Sequence, residues 1–152
     1  SLEVETINIS SIVKETILLF EAIAFEKEIS ISSRIDEPIY HKSHAETLRQ
    51  SLVILLDNAI KYSPSHQSID ITLAKNDKKI EFKISNVNQR LQQNDLEFLF
   101  DRFYRKDEAR ERNDSYGLGL SIAKSLIEQL NGELSVELIE NKICFTIKLF
   151  RN

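Results

Sequence analysis

Two of the three glycines in this 152-residue chain, Gly117 and Gly119, stand at the mouth of an amphipathic segment, YGLGLSIAKSLIEQLNGELSV, over residues 116 to 136. Glycine costs a helix stability, so its placement here needs a reason. The two glycines let the backbone take conformations closed to other residues and let a ligand approach closely. The unpaired N–H groups of the helix start, around Leu118 and Leu120, then point at whatever sits there, and an anion is the natural occupant. A tight loop-to-helix turn without a ligand is the plainer alternative.

A second segment raises the anion reading. In LRQSLVILLDNAIKYSP, residues 48 to 64, Leu48, Leu52, Val53, Leu55, Leu56, Ala59 and Ile60 recur at helical spacing, with Ser43 and Glu46 expected as a capping box. On another face Asn58, Lys61 and Tyr62 fall at i, i+3 and i+4, which gathers an amide oxygen, an ammonium and a phenol near the helix end. Asn can complete the coordination of a hydrated magnesium, Lys can neutralise phosphate, and Tyr offers a ring and a hydroxyl. A solvated helix end is the bland reading of the same residues.

Together these segments resemble the N box and G2 box of the ATP-binding catalytic domain of sensor histidine kinases, in the superfamily of the gyrase, Hsp90 and MutL ATPases. Between them FLFDRFYRKDEAR, residues 98 to 110, resembles the F box that precedes the ATP lid, with Phe100 and Phe103 as aromatic anchors. The resemblance runs from about Ile9 to the C-terminus. It implies a Bergerat-type fold: an α+β two-layer sandwich whose mixed, mostly antiparallel sheet is covered on one face by helices. It also implies ATP and Mg2+ as ligands, with Asn58 holding the metal, Lys61 and Arg105 facing phosphate, and Tyr62 lining the nucleotide site. The backbone of Gly117, Leu118, Gly119 and Leu120 would cradle the phosphate chain.

Two motifs depart from the family pattern. The G1 box, Asp-x-Gly-x-Gly, is expected at residues 86 to 90, where this chain reads NVNQR. Asn86 then stands for the Asp that accepts a hydrogen bond from the adenine amino group. An Asn carbonyl still accepts that bond, at a cost on the order of 1 kcal/mol. Asn88 and Arg90 replace the two glycines; if those positions need positive φ, Asn88 tolerates it better than Arg90, and the alternative is a rebuilt loop. In the N box, Ile54 occupies the position of the carboxylate that activates water in the hydrolysing relatives, which argues against a free-standing ATPase of that kind.

A length of 152 residues with 41% hydrophobic content suits one domain, residues 1 to 152. Net charge −4, with basic residues interleaved among acids, excludes a nucleic-acid footprint. No apolar run is long enough for a membrane span, and the N-terminus does not read as a signal peptide. The single Cys144 allows no internal disulfide and suits a reducing compartment. Strands are expected around Ile7 to Ile9, 29 to 34 and 38 to 41, with a helix near 11 to 27. Hairpins are expected over 69 to 84, turning at Asn76 and Asp77, and over 134 to 149, turning at Glu140 and Asn141. Asn131 and Gly132 read as a helix C-cap. The charged stretch RKDEARERNDS, residues 105 to 115, is expected to be a mobile lid when empty; Arg110, Arg112 and Tyr116 are further candidates there.

His41, His44 and His66 lie in nothing resembling the family's phosphoacceptor motif and are expected at the surface. The resemblance therefore implies that the acceptor histidine, on a dimerisation domain, and the sensing parts belong to a longer, membrane-anchored protein preceding Ser1, with this domain cytoplasmic and a response regulator as the next partner. A degenerate domain that keeps the fold and docks on proteins without using ATP is the rival reading. A serine-kinase relative that controls a sigma factor fits the FDRFYR segment less well.

Overall fold

A computed structural model describes residues 2–102 and 119–152. The chain runs through β1 (Glu5–Asn8), α1 (Ile9–Glu26), β2 (Ser30–Ile35), β3 (Tyr40–Ser43), α2 (Ala45–Tyr62), β4 (Ser68–Lys75), β5 (Lys79–Val87), a 3-10 helix (Gln93–Phe98), α3 (Gly119–Gln129), β6 (Glu133–Ile139) and β7 (Lys142–Phe150). Five strands form one sheet in the order β2-β4-β5-β7-β6, parallel between β2 and β4 and antiparallel elsewhere. β1 and β3 make a separate antiparallel pair.

Alternation along the strands creates the layers. Ile69, Ile71 and Leu73 of β4, Ile80, Phe82 and Ile84 of β5, and Ile143, Phe145, Ile147 and Leu149 of β7 are all buried. Successive side chains of a strand point to opposite faces, so these residues line a single one. On that face they meet Ile12, Val13 and Ile17 of α1, Leu48, Leu52, Leu55 and Leu56 of α2, and Ala123 and Ile127 of α3. Full burial of each such side chain stabilises the fold by roughly 1.5–3 kcal/mol. The expected two-layer sandwich is present.

Local details differ from the sequence expectations for identifiable reasons. α1 starts at Ile9 because Asn8 caps it, its side chain accepting from the Ser11 N–H at 3.2 Å, so Ile9 leaves the strand expected over 7 to 9. The capping box expected from Ser43 and Glu46 does not form. Ser43 is buried in β3, and His44 is the N-cap of α2, its Nδ1 accepting from the Thr47 N–H at 3.2 Å. Glu46 instead pairs with Arg49 at 3.2 Å. Of the three histidines only His66 is exposed; His41 and His44 are half-buried.

The turns follow their residues. Asn76 Oδ1 accepts from the N–H groups of Lys78 and Lys79, closing the β4–β5 hairpin. After α3 the left-handed residue is Asn131, at φ 60°, while the Gly132 N–H bonds to the Ile127 carbonyl at 3.0 Å. Gly132 serves close packing: a Cβ there would meet the Lys148 carbonyl oxygen and Leu149 Cδ2, each at 2.8 Å.

Candidate functional site

The candidate site is built on the C-terminal half of α2, the end of β5 and the start of α3, with α2 and α3 packed side by side on the sheet. The helix ends where the sequence requires. Ser63 precedes Pro64 and is extended, at φ −76° and ψ 133°. With Leu55, Leu56, Ala59 and Ile60 committed to the core, Asn58 and Tyr62 are left half-buried and Lys61 reaches toward solvent. Lys61 Nζ pairs with Asp57 Oδ2 at 3.4 Å and, in the last turn of the helix, complements the negative end of its dipole. Ile54, one turn before Asn58, is half-buried against the core, so no carboxylate stands there to activate water.

Asn86 lies near the end of β5 opposite Ile143 and is 2% exposed. Its Nδ2 donates to the Val87 carbonyl at 3.0 Å. That bond uses the donor end of the amide, and Oδ1 can only accept. The following loop is held by the residues that stand at the two glycine positions. Asn88 Oδ1 accepts from the Arg90 N–H at 3.1 Å, and the Asn88 N–H donates to the Asn141 carbonyl at 2.7 Å. Neither Asn88 nor Arg90 has positive φ, so the two missing glycines leave no strained backbone behind. The β6–β7 turn that carries Asn141 thereby supports the loop.

Gly119 and Leu120 are the first two residues of α3, and Leu120 packs against the core. Gly117, Leu118 and Arg105 lie outside the described residues, as do Phe103, Arg110, Arg112 and Tyr116. Phe100 does anchor its segment. Its ring meets Phe145 edge-on at 6.0 Å and 69°, and Lys124 Nζ sits 4.9 Å from the ring centroid. Lys124 was not singled out by sequence reading, nor was Asp95, which is buried and accepts from the Gln92 N–H at 2.8 Å. Gln92-x-x-Asp95 has capping-box spacing, a signal available in the sequence. The contact of Lys124 with Phe100 had none, because that ring lies on a distant segment.

A hydrated magnesium held chiefly by phosphate oxygens needs few protein ligands, and a half-buried amide at Asn58 fits that demand. Among the described residues no group of three His, Cys, Asp or Glu side chains could cage a metal. Burial pushes the Cys144 thiol up, which disfavours a thiolate. An open depression of about 550 Å³ lies between α1 and β2, and another of about 440 Å³ lies beside the β6–β7 turn, lined by Ser85 and Asn141. No described helix is long and apolar enough to cross a membrane.

Comparison with known proteins matches residues 43–151 to the family described as histidine kinase-, DNA gyrase B- and HSP90-like ATPases. The chain is 33% identical over 128 residues to sensor protein DltS of Streptococcus agalactiae serotype V, covering 84% of this chain and 32% of DltS. It is 39% identical over 102 residues to the signal transduction histidine-protein kinase ArlS of Staphylococcus epidermidis, covering 66% of this chain and 22% of ArlS. The chain thus spans a third or less of these relatives. Its fold matches histidine kinase ThkA, solved in complex with response regulator TrrA, with TM-score 0.84 and 23% identity over 99% of this chain and 42% of that one. A sheet with three core-facing helices, N-, F- and G2-type segments in order, and a family match over most of the length converge: the chain belongs to the histidine kinase-, DNA gyrase B- and HSP90-like ATPase family, and its relatives are sensor histidine kinases.

Proposed function

We propose that residues 1 to 152 form the single ATP-binding catalytic domain of a two-component sensor histidine kinase. It would deliver the γ-phosphoryl group of ATP to a histidine on a separate dimerisation domain, for relay to a response regulator. The observation that carries the reading is the family match over residues 43–151, within which Asn58, Lys61 and Tyr62 lie toward the end of α2, a helix packed against α3. The regulator as partner draws support from ThkA, solved with its regulator TrrA. We place the domain on the cytoplasmic side of a membrane-anchored sensor, where ATP is available.

The work of this chain's residues is positioning and charge neutralisation. Asn58 would hold magnesium, which supplies neutralisation of the phosphate oxygens. Lys61 would exchange Asp57 for phosphate, and Tyr62 would line the pocket. The amides of Gly117, Leu118, Gly119 and Leu120 would donate to the phosphate chain, and Arg105 would add charge from the F-box side. Asn86 Oδ1, oriented by the bond from Nδ2 to Val87, would accept from the adenine amino group.

Asn88 and Arg90 in place of the two glycines favour a second reading, a domain that keeps the fold as a protein-interaction module without using ATP. Calorimetric titration with a non-hydrolysable ATP analogue, with and without magnesium, separates the two. Saturable, magnesium-dependent binding upholds the kinase reading, and absence of heat at millimolar ligand upholds the interaction module.

A further inference from the structure

The outer side of α1 is apolar where a surface helix is ordinarily polar. Val13, Thr16, Ile17 and Ala24 turn inward and are buried, and at about 100° per residue the side turned away from the core carries Leu18, Leu19, Ala22, Ile23 and Phe25. Leu18 is 65% exposed, Leu19 68%, Ile23 46% and Phe25 83%. Single apolar side chains on a surface need no explanation, but a contiguous band across two turns marks an interaction site.

The band has charged ends. Glu15 precedes it and Glu26 follows it, both within about 40° of Ala22 around the helix axis and about 16 Å apart along it. Both are exposed, as is Glu21 on the Phe25 flank, and none of the three has an ion-pair partner among the described residues. The lysines of this helix and its cap are engaged elsewhere: Lys14 by Glu37 at 3.1 Å, and Lys27 by the Ile60 carbonyl of α2 at 3.4 Å. This pattern selects among occupants. A second copy of α1 laid along the band, in either direction, would set these glutamates against each other, and like charges oppose pairing. An anionic membrane surface calls for lysine and arginine beside the apolar face, not glutamate. A helix with an apolar stripe bounded by basic residues satisfies both the band and its ends.

We propose that the outer side of α1 docks an amphipathic helix of a partner protein. The apolar stripe of that helix covers Leu18, Leu19, Ala22, Ile23 and Phe25, and its basic residues, three turns apart, meet Glu15 and Glu26. None of these residues belongs to the proposed nucleotide site, so the inference holds whether or not the domain uses ATP.

The test is NMR titration of the 152-residue chain with a synthetic alanine-rich helical peptide of about 18 residues. The peptide bears one leucine stripe with a lysine at each end, about 16 Å apart; the control carries glutamates in place of the lysines. The expected result is saturable shift changes centred on residues 15 to 26 of α1, weakening as salt is raised, with roughly tenfold weaker binding of the control. The charge swap E15K/E26K should reverse that preference. L18Q/F25Q alters only exposed side chains, so it should melt like the parent chain yet lose the peptide; the charge swap decides the matter independently of how this variant folds. No perturbation at about 1 mM peptide, an unchanged charge preference in E15K/E26K, or full binding by a folded L18Q/F25Q overturns the proposal. So does a dimer in sedimentation that L18Q/F25Q abolishes, which would give the band to a second copy, or tighter binding to anionic phospholipid vesicles than to the lysine peptide, which would give it to a membrane.

Discussion

The end of α2 and the loop after β5 both carry candidate nucleotide residues, yet they stand differently toward the resembled motifs. On α2 the motif is a spacing of side chains on a regular helix whose other side is core, and Asn58, Lys61 and Tyr62 lie toward its C-terminal end. After β5 the resembled motif joins one side chain, an Asp, to two glycines, whose contribution is backbone freedom. Here the two glycine positions hold Asn88 and Arg90, and the loop is closed by the bond from the Arg90 N–H to Asn88 Oδ1 and by the Asn141 carbonyl. A motif made of side chains survives only if those side chains are kept. A motif made of backbone geometry can be replaced by any residues that satisfy the same main-chain groups.

That contrast can be broken by mutation. The largest effect is expected at the scaffold: Leu55→Ala, at a fully buried position of α2, should destabilise the domain by about 2–5 kcal/mol, read from urea unfolding. A loss below about 1 kcal/mol would mean that the α2 core is not what fixes the helix. Asn58→Ala should lower magnesium-dependent affinity for a non-hydrolysable ATP analogue by about tenfold or more, a loss of about 1.4 kcal/mol. Its melting temperature should be nearly unchanged; retained affinity sinks the metal role.

At the loop, Asn86→Asp separates stability from binding. A carboxylate at this buried site cannot donate to the Val87 carbonyl, so the ligand-free domain should lose about 1–3 kcal/mol. Burial would raise the folded-state pKa of the new carboxyl. The loss should therefore be small at acidic pH, where the group is protonated, and grow as pH rises through the ordinary carboxylate range. If Asn86 reads adenine, the same variant should bind nucleotide several-fold more tightly; unchanged affinity would move base recognition elsewhere. Asn88→Ala removes one loop bond and should cost about 0.5–1.5 kcal/mol, measured by the same unfolding assay.

The smallest effect lies away from both regions. Burial, reinforced by the positive charge of Arg151, holds the His41 imidazole below its ordinary value. Its folded pKa is then lower than its unfolded one, so the unfolded chain binds more protons as pH falls through about 6.5. Stability should therefore decline below neutrality, and His41→Gln should flatten that decline in thermal melts taken across pH 5 to 8.

Much of this was legible in the sequence because it depends on periodicity. Alternation placed Ile69, Ile71, Leu73, Ile80, Phe82 and Ile84 on a buried face, and helical spacing placed Leu52, Leu55 and Leu56 in the core. Asn76 closed its predicted turn with its own side chain. Less legible were features requiring a partner remote in sequence. Lys124 over Phe100, and Asn141 beneath Asn88, join residues that no local pattern connects. The N-cap of α2 was misassigned because Ser43 has the right chemistry but is drawn into the β1–β3 pair, leaving His44 to cap.

Alone, the sequence determined which residues are apolar at which period, and hence the strands, the helices and the polar triad at the end of α2. The tertiary structure decided the strand order, left β2 as an open edge, oriented the buried Asn86 amide and showed that the altered loop is built without strain. The division has a physical cause: helical and strand periodicity are properties of neighbouring residues, whereas hydrogen-bond satisfaction in loops and at sheet edges is settled by whatever segment arrives from elsewhere in the chain.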